Sequence, residues 1–250
     1  MCLIIFSFRQ NSKYPLIIAA NRDEFFKRET KTLDLWEKNP DIIAGKDLQS
    51  GGTWMGINKK TKQFAAITNY RDPSNFKENA KSRGIIVSSF LENKINPDDF
   101  IKSLQPEKDN YNGFNLIAGN KDEIYYYSNI SNHPEKLEPG IHGLSNHFLN
   151  TDWPKVKKSK QELEKAFNSE DIIEESIKAL VDDNIFPDKE LPETGMGLEW
   201  ERLLSPVFVK SEIYGTRASS VLIFDKNNKI NFRENAWLEK SITKKTEFIL

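Results

Sequence analysis

With 36 basic and 37 acidic side chains among 250 residues, the chain carries a net charge of -1 and presents no broad cationic footprint for nucleic acid. Its single cysteine excludes an intrachain disulfide, and no apolar run approaches the roughly 20 residues that cross a bilayer. A chain of this length can bury a core without disulfides or metals. The expectation is a cytoplasmic protein without stable membrane insertion, formed as one domain over residues 1–250.

The chain opens on "MCLIIFSF", an apolar run that ends at Arg9 and lacks the basic flank and cleavage site of a signal peptide. "CLIIFSF" and "YPLIIAANRDE" are β-rich runs separated by the polar "RQNSK", which predicts a hairpin. "IIAG", "GTWMGIN" and "KQFAAITNYR" continue the strand signal. The spacing then becomes helical in "SRGIIVSSFLENK", and "NPDDFIKSLQ" predicts a short helix with Asn96 as cap and Pro97 in its first turn.

Strands return in "GFNLIAGN" and "EIYYYSNI", joined at "NKDE". "WPKVKKSKQELEKAF" and "SEDIIEESIKALVDD" are the strongest helix signals, the second with Ser169 and the acids after it marking an N-terminus. The lysine-rich "KVKKSKQ" reads as a solvated helix face. Asn184 to Gly197 reads as a loop, and "SSVLIFDKNNKINFRENAW" as a hairpin turning at "KNNK". Hairpins and segregated helices together indicate an α+β layered fold rather than a parallel sheet.

The chemistry begins at Cys2. One reading makes it a small apolar residue of a buried strand. The other makes it the first residue of a chain trimmed of Met1, so that a thiol and a free α-amino group share one residue. That amino group has a pKa near 8 and can take the thiol proton without a histidine. Counting outward from a turn near residue 12 places Cys2 opposite residue 22. An arginine there would raise the thiolate fraction. The alternative for "NRDE" (21–24) is an exposed turn whose charges pair with one another.

"TNYRD", "GLSNHF" and "YGTRASS" set Asn69, Asn146 and Arg217 where strands meet loops, the places where scaffolds mount catalytic groups. Asparagine amides are suitable oxyanion donors, although loop asparagines also form turns. His133, His142 and His147 make no metal signature. His147, beside Asn146, is the one of interest. The sequence holds neither a P-loop nor a dinucleotide-binding glycine fingerprint.

Taken together, "MCLI", "AANRDEFFKR", "GGTWMGI", "TNYRDP", "SRG", "GLSN" and "GTRASS", in this order over almost the whole chain, resemble the NRDE family, that of the transport and Golgi organisation proteins. That resemblance implies the N-terminal nucleophile hydrolase superfamily and its fold, a four-layer αββα sandwich of two antiparallel sheets between helices. Relatives of known chemistry in that superfamily, the choloylglycine hydrolases and penicillin V acylases, cleave amide bonds. The resemblance makes Cys2 the nucleophile, Arg22 its tuning residue and Asp23 the contact of the amino group. Asn69 and Asn146 become oxyanion donors and Arg217 the late arginine. In the acylases the arginine and aspartate stand three apart, whereas Arg22 and Asp23 are adjacent; Asn21 and Glu24 keep the spacing without the residue types. The implied function is a cysteine amidohydrolase acting on a small molecule without a cofactor. The alternative is a non-catalytic carrier of haem or another apolar ligand on the same scaffold. The sequence leaves the oligomeric state open.

Overall fold

A computed structural model describes residues 2–238 and 240–250, Cys2 through its backbone only. In chain order the first strands are β1 (Cys2–Phe8), β2 (Leu16–Phe25), β3 (Thr30–Trp36), β4 (Asn39–Asp47), β5 (Met55–Asn58) and β6 (Gln63–Asn69). Helices α1 (Gly84–Glu92) and α2 (Pro97–Leu104) follow, then β7 (Phe114–Gly119), β8 (Ile124–Ser128), β9 (His133–Lys136) and β10 (Gly140–Leu144). Helices α3 (Pro154–Ala166), α4 (Ile172–Lys178) and α5 (Leu198–Leu204) precede β11 (Tyr214–Phe224), β12 (Ile230–Leu238) and β13 (Ser241–Ile249).

The chain divides into two compact units, one of Met1–Lys27, Pro139–Ser145 and Leu149–Leu250, the other of Arg28–Glu138 and Asn146–Phe148. Each is built on one antiparallel sheet, so the α+β class with two antiparallel sheets holds. The first unit has the strand order β10-β1-β2-β11-β12-β13, and the second runs β3 to β9 in sequence order. Among the described residues no helix is long and apolar enough to cross a membrane.

Strand alternation sets the faces of the first sheet. Leu3, Ile5, Ile17, Ala19, Val221 and Ile223 form a core with Trp153, Val156 and Leu163 of the α3 region and Ile172 and Ile177 of α4. Full burial of Leu163 alone is worth about 1.5–3 kcal/mol. On the opposite face Ile4, Phe6, Ile18 and Leu222 are buried as well. In the second unit Ala65, Ile67, Phe114 and Leu116 pack with Ile86, Phe90, Phe100 and Ile101 of α1 and α2. There the motifs "GGTW" and "SRG" meet: a Cβ added at Gly52 would lie 2.3 Å from the backbone of Gly84, and Thr53 N–H donates to Gly84 O at 3.1 Å.

The predicted hairpins form, and Asn96 caps α2 by accepting from Asp98 N–H at 2.8 Å. "NRDE" belongs to β2, as the β-rich run through Glu24 predicts, and the strand ends one residue further on at Phe25. Three expectations are corrected. α4 starts two residues later than expected, because the Asp171 carboxylate, rather than Ser169, accepts from Glu174 N–H. Arg217 sits within β11 rather than at a strand end. Finally, the lysine run is not wholly solvated, since Lys155 is only 4% exposed.

Candidate functional site

In the first unit β2 lies between β1 and β11, and the register sets Cys2 opposite Arg22 as the turn count predicts. The expectations for Met1 and for the Cys2 thiol lie outside the described residues. Asn21, Arg22 and Asp23 are 1%, 5% and 2% exposed, which removes the exposed-turn reading. Because successive residues face opposite ways, Asn21 and Asp23 point to the helix-covered face, and Arg22 and Glu24 to the other.

Asn21 is an anchor on the helix side. Its amide donates to Leu180 O at 2.8 Å and Val207 O at 2.9 Å, and its carbonyl accepts from Ser219. Ser219 in turn accepts from the Trp237 indole at 2.9 Å.

Asp23 is the other buried group on that side. Thr216 Oγ1 accepts from Val209 N–H at 2.9 Å, so its single proton is left for Asp23 Oδ1, 2.7 Å away. The Tyr214 hydroxyl donates to the Asp23 backbone carbonyl at 3.2 Å. Burial pushes the Asp23 carboxyl above its ordinary range; Lys155, the Thr216 hydrogen bond and Arg22 act the other way.

On the opposite face the Arg22 guanidinium stands 3.9 Å from the Glu24 carboxylate. Arg217 joins these charges through a β-bulge between Thr216 and Ala218. It donates to the backbone carbonyls of Phe25 at 3.0 Å and Phe26 at 3.1 Å, and lies over the Phe26 ring. Burial lowers its affinity for its proton; the nearby Arg22 charge acts the same way and Glu24 opposes both.

The second unit holds Asn69, Asn146 and His147, and it brings the two asparagines together. Asn146, fully buried, donates its amide to Asn69 O at 2.9 Å and accepts at its own backbone carbonyl from Arg71 N–H at 2.8 Å. His147 lies 5.0 Å, centroid to centroid, from the Tyr70 ring. Burial holds His147 below the ordinary histidine value and raises Tyr70, the latter also under the influence of Asp72.

Sequence reasoning passed over two residues here. Asn115, fully buried on β7, donates to His147 O at 3.0 Å and to Thr68 Oγ1 at 3.2 Å, and accepts from the Tyr126 hydroxyl. It thereby braces the 146–148 segment. The carbonyl of Gly113 accepts from both Tyr70 N–H and Arg83 Nη1, each at 2.9 Å, tying "TNYRD" to "SRG". An asparagine inside the apolar "GFNLIAG" was the available signal for Asn115, since a buried amide requires partners.

Two antiparallel sheets with helices, one with an amino-terminal strand paired to a buried "NRDE" strand, define an α+β protein of the NRDE type. The chain belongs to the family described as Transport and Golgi organisation 2, whose model matches residues 1–239. It is 34% identical over 266 residues to the Transport and Golgi organization 2 homolog of Mus musculus, covering 98% of this chain and 96% of the mouse protein. The Homo sapiens homolog is 34% identical over 265 residues, covering 97% and 95% of the two chains. The Drosophila melanogaster Transport and Golgi organization protein 2 is 28% identical over 263 residues, covering 94% and 91%.

Proposed function

We propose that this protein is a cytoplasmic cysteine amidohydrolase of the N-terminal nucleophile type, cleaving the amide bond of a small non-peptide molecule with Cys2 as nucleophile. The observation that supports this reading is the register of β1 on β2, with Cys2 opposite a buried Arg22. A chain trimmed of Met1 carries its α-nitrogen on that same residue. A guanidinium in this position favours the thiolate.

The thiolate adds to the amide carbon, and the carbonyl oxygen takes up the negative charge. In this reading Asn69 and Asn146 keep the oxyanion role that the resemblance gives them. The C–N bond then breaks, and the leaving amine takes a proton from the α-ammonium of Cys2. Water hydrolyses the thioester and restores the thiol. Loss of one oxyanion donor would slow such a reaction about a hundred- to a thousandfold.

The test has two arms. Intact mass should show the loss of Met1, and an electrophilic probe should label the chain once, on its sole cysteine. Against a panel of N-acyl substrates, Cys2→Ala should abolish turnover. Retention of Met1, or equal hydrolysis by parent and variant, would refute the mechanism.

A further inference from the structure

β13 closes one edge of the first sheet and, among the described residues, pairs with β12 alone. Its ladder is regular from Lys244 to Ile249. A bulge at Thr243 ends it, since Ala236 pairs with Lys244 and Trp237 with Ile242. Ile230 and Leu250 exchange both their backbone hydrogen bonds at 2.9 Å. The alternation of an antiparallel ladder then turns the N–H and C=O groups of Phe248, Thr246 and Lys244 toward β12, and those of Ile249, Glu247 and Lys245 outward. Apart from Thr246 and Phe248 the strand is exposed, Ile249 by 58%. Such an edge is a template for a further strand.

The charges beside this edge are unequal. Arg233 of β12 lies 3.3 Å from Glu174 of α4 and 3.2 Å from Glu247. One guanidinium thus serves two carboxylates. Lys245 is exposed on the same face of the sheet as Glu247, two residues away.

Two copies of β13 can pair antiparallel about a two-fold axis perpendicular to the sheet, which sets side chains of the same face opposite one another. An axis at Lys244, Lys245 or Glu247 puts like charges directly opposite, which is unfavourable. An axis at Phe248 faces Glu247 with Ile249. An axis at Thr246 sets Lys245 of each copy opposite Glu247 of the other, and both pairs use the outward backbone groups. Each lysine then joins the other copy's Glu174–Arg233–Glu247 cluster as the missing cation. The exposed Ile249 is covered by the Thr243 end of the facing strand. Lysines on an edge ordinarily repel a second copy. Here the acid two residues further on turns that repulsion into attraction.

We propose that β13 is a self-association surface: two copies of this chain join edge to edge through it, with Lys245 of each opposite Glu247 of the other, and form one continuous antiparallel sheet. The association does not depend on the hydrolase reading.

The experiment is sedimentation equilibrium of the full chain over a series reaching about 0.1 mM, where weak interfaces are populated. The parent should pass from monomer to dimer. Lys245→Glu and Glu247→Lys each place like charges at both pairs, and each should weaken the dimer about tenfold or more. An equimolar mixture of the two variants has opposite charges at both pairs and should recover the dimer as a heterodimer, read by native mass spectrometry. A parent that stays monomeric overturns the proposal. A dimer that either variant leaves intact uses another surface and overturns it too, as does a mixture that recovers no heterodimer. Should a variant fail to fold, amide exchange in the parent decides. Exchange at Lys245 and Glu247 should slow as the concentration rises, while that of Thr246, already bonded to β12, stays constant. The same response at all three amides overturns the register.

Discussion

The side-chain amide of Asn146 donates to the backbone carbonyl of Asn69 at 2.9 Å, so two asparagines 77 residues apart in sequence are joined directly. The bond fixes the 146–148 segment to the end of β6, and Arg71 N–H closes a second link onto Asn146 O. Asn146→Asp converts the donor into an acceptor facing a carbonyl inside a buried site. It should cost about 1–3 kcal/mol in denaturant unfolding, more than Asn69→Asp, whose contribution to this bond is its backbone. Equal losses would mean that the bond does not fasten the segment.

Asn21 holds two backbone carbonyls on the helix side of β2. Asn21→Ala leaves Leu180 O and Val207 O without this donor and should lower stability by roughly 2–4 kcal/mol in urea. Asn21→Asp should be worse, because a carboxylate then faces both oxygens. A change near zero for either would show that the two carbonyls find other donors.

Arg22 permits a test that needs no substrate, because the only cysteine of the chain lies opposite it. Arg22→Ala should raise the Cys2 thiol pKa by about one unit and slow its alkylation by iodoacetamide at neutral pH about tenfold. Arg22→Lys should retain part of the rate. Alkylation at the parent rate in Arg22→Ala would remove the tuning role.

His147 supplies a pH dependence. Its folded form resists protonation because of burial, so the unfolded chain binds that proton more readily. The stability it contributes is complete above the ordinary value of 6.5 and is lost as pH falls through the lower folded value. His147→Phe keeps ring contacts with Tyr70 and Phe148 and should flatten that part of the melting-temperature profile on the acid side. A parent and variant that decline in parallel would place the dependence elsewhere.

The turn count from residue 12 read the hairpin register correctly, because a hairpin that closes near its midpoint fixes every pair outward from it. The β-rich run through Glu24 read the end of β2 to within one residue. The burial of its polar end was not legible, because Asn21 and Asp23 bond to partners distant in sequence. β13 escaped notice because "SITKKTEFI" is an exposed edge strand, without the apolar alternation that marks a half-buried one. α5 has only seven residues and follows Gly197 at a φ of 83°, so the loop signal before it hid it. Of the candidate residues, type and position were readable for Arg22, Asn69 and Asn146. Asn115 left a signal as an amide inside an apolar run, but its partners and those of Gly113 were not readable, since most lie far away in sequence and Gly113 acts through its backbone.

The bulge at Arg217 makes that residue supernumerary to the ladder. Thr216 pairs with Asp23 and Ala218 with Arg22, so β11 spends two steps where β2 takes one. Excising Arg217 would leave both neighbouring pairs in place, whereas excising any other residue of the strand interior would throw one side out of phase. A guanidinium has thus been spliced in beside Arg22 and Glu24 without altering the ladder partners of Asp23 and Arg22, and the strand can lose or exchange it while its backbone ladder stays in register.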